Sequence, residues 1–186
     1  ILFEDNTVIV ENILLDHTIE CSGFIFKEKK NERKINRDIV NQLNIPFDKL
    51  KSIQYGADWI DLNGKIIKNK DMTTENSLPH TFAFCTDTRY NTKIINRIKE
   101  IDLLYHETTF KEESSIRAHE TGHSTTHQAA KIAKKARVKR LIIGHLSQRY
   151  HNREDILVEV KEVFEGSILA ESGLKIDFKK INSQFI

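Results

Sequence analysis

His17, Asp87, Glu107, His123 and His145 are the residues whose types and placement could do chemistry. Asp87 follows the apolar run Phe82-Ala83-Phe84-Cys85, His106-Glu107 follows Leu103-Leu104-Tyr105, His145 follows Leu141-Ile142-Ile143-Gly144, and His17 ends the first apolar stretch. In open α/β sheets the ligand crevice lies beyond the carboxyl ends of the strands, so these groups are placed to converge. Two imidazoles and a carboxylate, His17, His145 and Asp87, suit a borderline cation such as Zn²⁺, and a carboxylate has two oxygens with which to bridge two ions. A pair of ions about 3.5 to 4 Å apart binds a hydroxide nucleophile and holds a phosphoryl group for in-line displacement. That is a phosphodiesterase site in outline. Each residue taken singly has a plainer reading, because a His or Asp at a strand end often only caps or hydrogen-bonds, and no short H-x-H or H-E-x-x-H pair anchors a metal here.

A second cluster is His123-Ser124-Thr125, just before a helical pattern. Backbone N–H groups at a helix N-terminus attract anions, the hydroxyls of Ser124 and Thr125 would add donors to a substrate phosphate, and His123 would stand beside it. The alternative is that Ser124 or Thr125 only caps the helix. Beyond His145 lie Ser147, Arg149 and Tyr150, a donor set for phosphate in which Arg binds bidentately; alternatively Arg149 is a surface residue and Tyr150 packs.

The elements that must position these groups read as follows. Strands are expected at Thr7 to Leu15 and Gly23 to Phe26. Lys27 to Lys34, five basic residues against two acidic, breaks any core pattern. A short helix from Ile35 to Leu43 stops before Pro46, and an excursion from Phe47 to Leu78 carries a hairpin at Leu62-Asn63-Gly64-Lys65, where Asn-Gly suits a type I′ turn. After Pro79 the pattern becomes regular: strand Thr81 to Cys85, helix Thr92 to Lys99, strand Ile101 to Tyr105, strand Val138 to Gly144 and helix Arg153 to Phe164. Thr125 and Gln128 form a capping box for the helix carrying Ala129, Ala130, Ile132, Ala133 and Ala136. Edge strands Ile168 to Ala170 and Leu174 to Phe178 close an α/β layer structure.

Composition bounds what such a site can serve. With 29 Lys+Arg against 27 Asp+Glu the net charge is +2, which excludes bulk attraction to a polyanion and leaves local patches. No apolar run approaches the roughly 20 residues of a membrane span, and the first stretch lacks a signal-peptide pattern. Two cysteines, Cys21 and Cys85, make no disulfide framework, so a reducing cytoplasm is the expected compartment. The chain starts at Ile1 inside a run that already reads as structured, and is expected to be part of a longer unit.

Four segments in order, FAFCTDTRY (Phe82 to Tyr90), LLYHETTF (Leu103 to Phe110), GHSTTHQAAKIA (Gly122 to Ala133) and KRLIIGHLSQRY (Lys139 to Tyr150), resemble the C-terminal half of the ribonuclease Z family, the transfer RNA 3′-processing endonucleases of the metallo-β-lactamase superfamily. The resemblance covers nearly the whole chain. It implies an α/β fold, the metallo-β-lactamase αβ/βα sandwich, with residues 1–186 as the C-terminal portion of one domain and 27–77 as an inserted flexible exosite arm that grips the transfer RNA elbow, commonly from the other subunit of a homodimer.

The resemblance also implies roles. Two Zn²⁺ ions, or Mn²⁺ or similar, would be held by His17, Asp87 as the bridge, and His145. Glu107 would orient His123 to protonate the departing 3′ oxygen or stabilise charge on the phosphate, releasing a transfer RNA with a 3′ hydroxyl and a trailer with a 5′ phosphate. Precursor transfer RNA is the expected partner. Thr108 stands where the family's motif has Ala, and Pro46 is followed by Phe47, so the arm lacks the family's Gly-Pro. The signature H-x-H-x-D-H is absent, so this chain alone is expected to hold half of the site and to be inactive. The alternatives are another hydrolase of the same fold, arylsulfatase-like or a cyclic phosphodiesterase, and a metal-free RNA-binding subunit.

Overall fold

The computed structural model describes residues 1–181. They form two compact units: Ile1–Glu28 together with the chain from His80 onward, and Lys29–Pro79.

The first unit is built on a seven-stranded mixed sheet. Strands β1 (Phe3–Glu4), β2 (Val8–Leu15) and β3 (Cys21–Glu28) form an antiparallel meander. The Asp5 carboxylate closes its first turn by accepting the Thr7 and Val8 N–H groups at 2.7 and 2.8 Å.

The second unit lies between β3 and the next strand of the sheet. In it β4 (Lys34–Ile35) leads to α1 (Arg37–Gln42), whose first N–H groups bond the Asn36 side chain. Helix α2 (Phe47–Gln54) starts after Pro46, β5 (Trp59–Ile60) and β6 (Ile66–Ile67) form a hairpin, and α3 (Asn69–Met72) precedes β7 (Thr73–Thr74), which pairs with β4. Val40, Ile45, Ile53 and Met72 close a core of its own. The charge run and excursion therefore enclose a small folded body. The hairpin sits where expected, but its loop spans Asp61 to Lys65 rather than a two-residue turn. The Asp61 carboxylate accepts the Asn63 and Lys65 N–H groups at 2.8 and 2.9 Å and organises the longer loop, with Gly64 at φ 79°.

The first unit resumes with β8 (Thr81–Cys85), β9 (Leu103–Glu107), α4 (Ser115–Thr121), α5 (Thr126–Ala136), β10 (Arg140–Gly144), α6 (Arg153–Lys161) and β11 (Ser167–Leu169). The sheet order is β1-β2-β3-β8-β9-β10-β11, with β8 antiparallel to β3 and parallel pairing from β8 to β11. Ile25, Ala83, Leu104, Leu141 and Ile143 are fully buried on one face. Helix α5 lays Ala130, Ala133 and Ala136 with Ile132 into the same core. Small side chains let the helix approach the sheet closely, and each large aliphatic group so buried contributes about 1.5–3 kcal/mol.

Three sequence expectations change. Thr92 to Lys99 is a 3₁₀ turn, Thr92–Ile94, followed by further turns; Ile94 and Ile98 are buried with helical spacing but without a helix. Leu174 to Phe178 is no strand: a turn closes by Leu174 N–H donating to the Glu171 carbonyl, and 3₁₀ residues Phe178–Lys180 follow. Strand β9 runs two residues further than expected, because parallel pairing with β10 extends to Gly144 opposite Glu107. His106 and Glu107 thus lie within the strand, fully buried.

Candidate active site

Parallel pairing of β8, β9 and β10 brings their carboxyl ends to one edge, and with them Asp87, Glu107 and His145. Asp87 and His145 both adopt the left-handed backbone conformation, φ 55° and 56°. Such a conformation costs a non-glycine residue about 1–2 kcal/mol and turns the chain sharply out of its strand. The turns aim both side chains at the same point, and His145 Nε2 lies 3.3 Å from Asp87 Oδ1. His123 joins them: ligand atoms of Asp87, His123 and His145 all lie within 4.8 Å of one another.

His17 stands beside this group instead of within it, its ring centroid 5.2 Å from that of His123. Its Nδ1 is 2.8 Å from the Gly122 carbonyl, an acceptor, so Nδ1 carries the hydrogen and Nε2 is left for a ligand. Gly122 has φ 83°, and a Cβ there would fall on the His17 ring, so glycine is required on both grounds.

Glu107 is the most heavily engaged side chain of the site. Its carboxylate accepts the Thr88 N–H at 2.5 Å, the Thr109 hydroxyl at 2.5 Å and the Ser124 N–H at 3.2 Å, while His123 Nδ1 lies 3.0 and 3.1 Å from its two oxygens. A carboxylate already receiving three donors is an acceptor for a fourth, so His123 donates from Nδ1 and turns Nε2 toward Asp87 and His145.

Ser124 and Thr125 have other work than the expected phosphate contact. Both are fully buried. The Ser124 hydroxyl donates to the Thr88 carbonyl at 2.7 Å, and the Thr125 hydroxyl bonds the Glu112 carboxylate. Thr125 and Gln128 form the reciprocal capping box, and the Thr126 N–H is taken by the Phe110 carbonyl, so the start of α5 offers its donors inward. The capping alternative holds for Thr125, while Ser124 ties the segment to the loop after β8. Ser147 and Arg149 remain outside, with Arg149 Nε donating to the Ser147 hydroxyl oxygen at 3.2 Å and its guanidinium 5.0 Å from the Phe110 ring centroid. The Tyr150 hydroxyl accepts the Lys111 N–H at 3.0 Å.

Residues missed by sequence reasoning are those that hold the ligands in place: Thr88, Arg89, Thr109 and Gly122. All lie inside the quoted segments, yet Thr, Arg and Gly there read as ordinary loop residues. Neither cysteine competes for chemistry. Burial pushes the Cys85 thiol up to about 12, and Cys21 is raised by desolvation and then by Asp87 nearby.

One carboxylate and two imidazoles, from Asp87, His123 and His145, face one point and are a donor set that could hold a metal ion. A family model described as a β-lactamase superfamily domain matches residues 75–146. Ribonuclease Z of Phocaeicola vulgatus is 40% identical over 181 residues, covering 97% of this chain and 59% of that protein. Ribonuclease Z of Parabacteroides distasonis is 41% identical over 176 residues, covering 95% and 58%. The chain thus spans about three fifths of the length of these curated relatives. Among solved structures, a metallo-β-lactamase fold protein from Bacillus subtilis matches with a TM-score of 0.57 at 17% identity, over 92% of this chain and 53% of that one. The short form of human tRNase Z matches with a TM-score of 0.55 at 23% identity, over 95% and 46%.

Proposed function

We propose, for a chain that belongs to the metallo-β-lactamase superfamily and is homologous to ribonuclease Z over nearly its whole length, that the whole protein is an endoribonuclease that removes the 3′ trailer from precursor transfer RNA. The observation that carries the reading is the pair formed by the buried Glu107 and the partly exposed His123, which shares a cluster with Asp87 and His145. A small-substrate hydrolase of this fold has no need of a proton donor held in that way. In this reading Asp87 and His145, with His17 beside them, would hold the metal, two Zn²⁺ or Mn²⁺ ions, which when bound would neutralise charge at the phosphate and activate the attacking water. His123 acts as an imidazolium: Nδ1–H stays hydrogen-bonded to Glu107, and Nε2–H passes its proton to the departing 3′ oxygen as water oxygen bonds to phosphorus and the phosphorus–O3′ bond breaks. One product then carries a 3′ hydroxyl and the trailer a 5′ phosphate.

Arg149, stacked over Phe110, and Ser147 would supply donors to a neighbouring phosphate of the substrate. The unit Lys29–Pro79 serves as the exosite for the transfer RNA, across a homodimer. Both cysteines being free fits a cytoplasmic enzyme, and among the described residues no helix is long and apolar enough to cross a membrane. The test is cleavage of precursor transfer RNA by the whole protein, with metal measured after purification without chelators. Cleavage at the 3′ end and bound zinc or manganese support the reading, and a metal-free protein without cleavage overturns it.

A further inference from the structure

Arg89 ties together the three segments that carry His17, Asp87 and His123. Its guanidinium donates from Nε to the His119 carbonyl in the last turn of α4 at 2.8 Å and from an Nη to Asp16 Oδ1 at 3.2 Å. Its backbone N–H donates to the Asp16 carbonyl at 2.6 Å, and the Asp16 N–H donates to the Thr88 hydroxyl at 3.1 Å. Asp16 precedes His17, and His119 begins the turn that ends in Gly122, whose carbonyl fixes His17 Nδ1. The same few residues therefore set both the place of the His17 Cα and the acceptor that orients its ring.

The chemistry suits an arginine. The carbonyls ending a helix carry partial negative charge, and a guanidinium satisfies one of them and a carboxylate in two directions from one rigid plane. Its side chain is 21% exposed and that of Asp16 54%, so the guanidinium is half-buried between an exposed carboxylate and the helix end, and its hold comes from bonding two segments at once. A lysine ammonium at the same place has no fixed fork with which to hold both partners.

We propose that Arg89 is a positioning residue for the proposed reaction. It holds His17 in one ring orientation and at one distance from His123, and touches no reacting atom itself. The inference rests on the functional reading above, but its first test does not. In the whole protein without metal, nitrogen-15 imidazole spectra should show His17 as a single tautomer with hydrogen on Nδ1. Arg89→Lys and Arg89→Ala should convert this to a mixture or to averaged signals, while the thermal midpoint moves by no more than a few degrees. In the loaded protein both variants should lower kcat about tenfold or more on precursor transfer RNA and on bis(p-nitrophenyl) phosphate alike, with the transfer RNA KM within about twofold. Guanidinium added at millimolar concentration should restore part of the Arg89→Ala rate and not change that of Arg89→Lys. An unchanged His17 tautomer in both variants overturns the proposal, as does a rate loss matched by a collapse of the thermal midpoint without guanidinium rescue. If the wild-type protein cleaves neither substrate, the functional reading fails while the tautomer experiment still decides the role of Arg89.

Discussion

Asp87 and His145 leave two parallel strands in the same left-handed conformation, φ 55° and 56°, and meet at 3.3 Å between Oδ1 and Nε2. Strand β9 separates β8 from β10 in the sheet, so the two turns reach across it to the same point above Glu107. Local strain is held there by the pairing of three strands, and the pairing is held by the core beneath.

Asp87→Asn should separate the side chain's charge from its backbone role. Asn tolerates the left-handed region nearly as well as Asp, so the thermal midpoint should stay level or rise as a carboxylate leaves the cluster. Metal content by atomic emission should fall by at least one ion per chain. Asp87→Ala should lose the same metal and in addition about 1–2 kcal/mol of stability, read by urea unfolding.

His123→Ala should lower cleavage of precursor transfer RNA by about 10²- to 10⁴-fold with metal stoichiometry unchanged, because the ring is assigned to proton transfer. His123 lies in the same cluster of ligand atoms as Asp87 and His145, so a loss of metal equal to that in His145→Ala would make it a ligand instead.

Replacing Lys29–Pro79 by an Asn-Gly turn should leave the sheet intact, since Glu28 N–H already donates to the His80 carbonyl at 2.9 Å across the ends of β3 and β8. The KM for precursor transfer RNA should rise about tenfold or more, while hydrolysis of bis(p-nitrophenyl) phosphate stays within about twofold. Equal impairment of both substrates would show that the unit supports the fold and not the RNA.

His106 should make stability fall in acid. Its ring is fully buried, and burial holds its pKa below the ordinary imidazole value; the bond of its ring to the Glu107 carbonyl only partly opposes this. Among the described residues Nε2 has no hydrogen-bond partner, so a second proton would find no acceptor there. Below about pH 6.5 the unfolded chain takes up a proton that the folded chain does not. Stability from this group is thus complete above that pH and lost as pH falls toward the depressed folded value, by up to about 1.4 kcal/mol per unit. Urea unfolding at pH 7 and pH 5.5 should show the loss, and His106→Leu should remove this share of the slope.

The strands that end in polar residues and the capping box of α5 were legible in the sequence alone. These are local properties: an apolar run of strand length, a Thr three residues before a Gln, and a charged group at the end of a strand are legible without knowing any neighbour. The helix expected at Thr92 to Lys99 failed because Ile94 and Ile98 reach the core through turns, and apolar spacing does not distinguish the two routes. Where a side chain sends its hydrogen bond was decided only by the tertiary structure. The Ser124 hydroxyl goes to the Thr88 carbonyl, 36 residues earlier in the chain, and Arg89 bonds Asp16 and His119, which only the fold brings to its two sides. A hydroxyl or guanidinium takes whichever acceptor the fold places within about 3 Å, and at that range the partners are chosen by strand pairing and helix packing rather than by sequence neighbours.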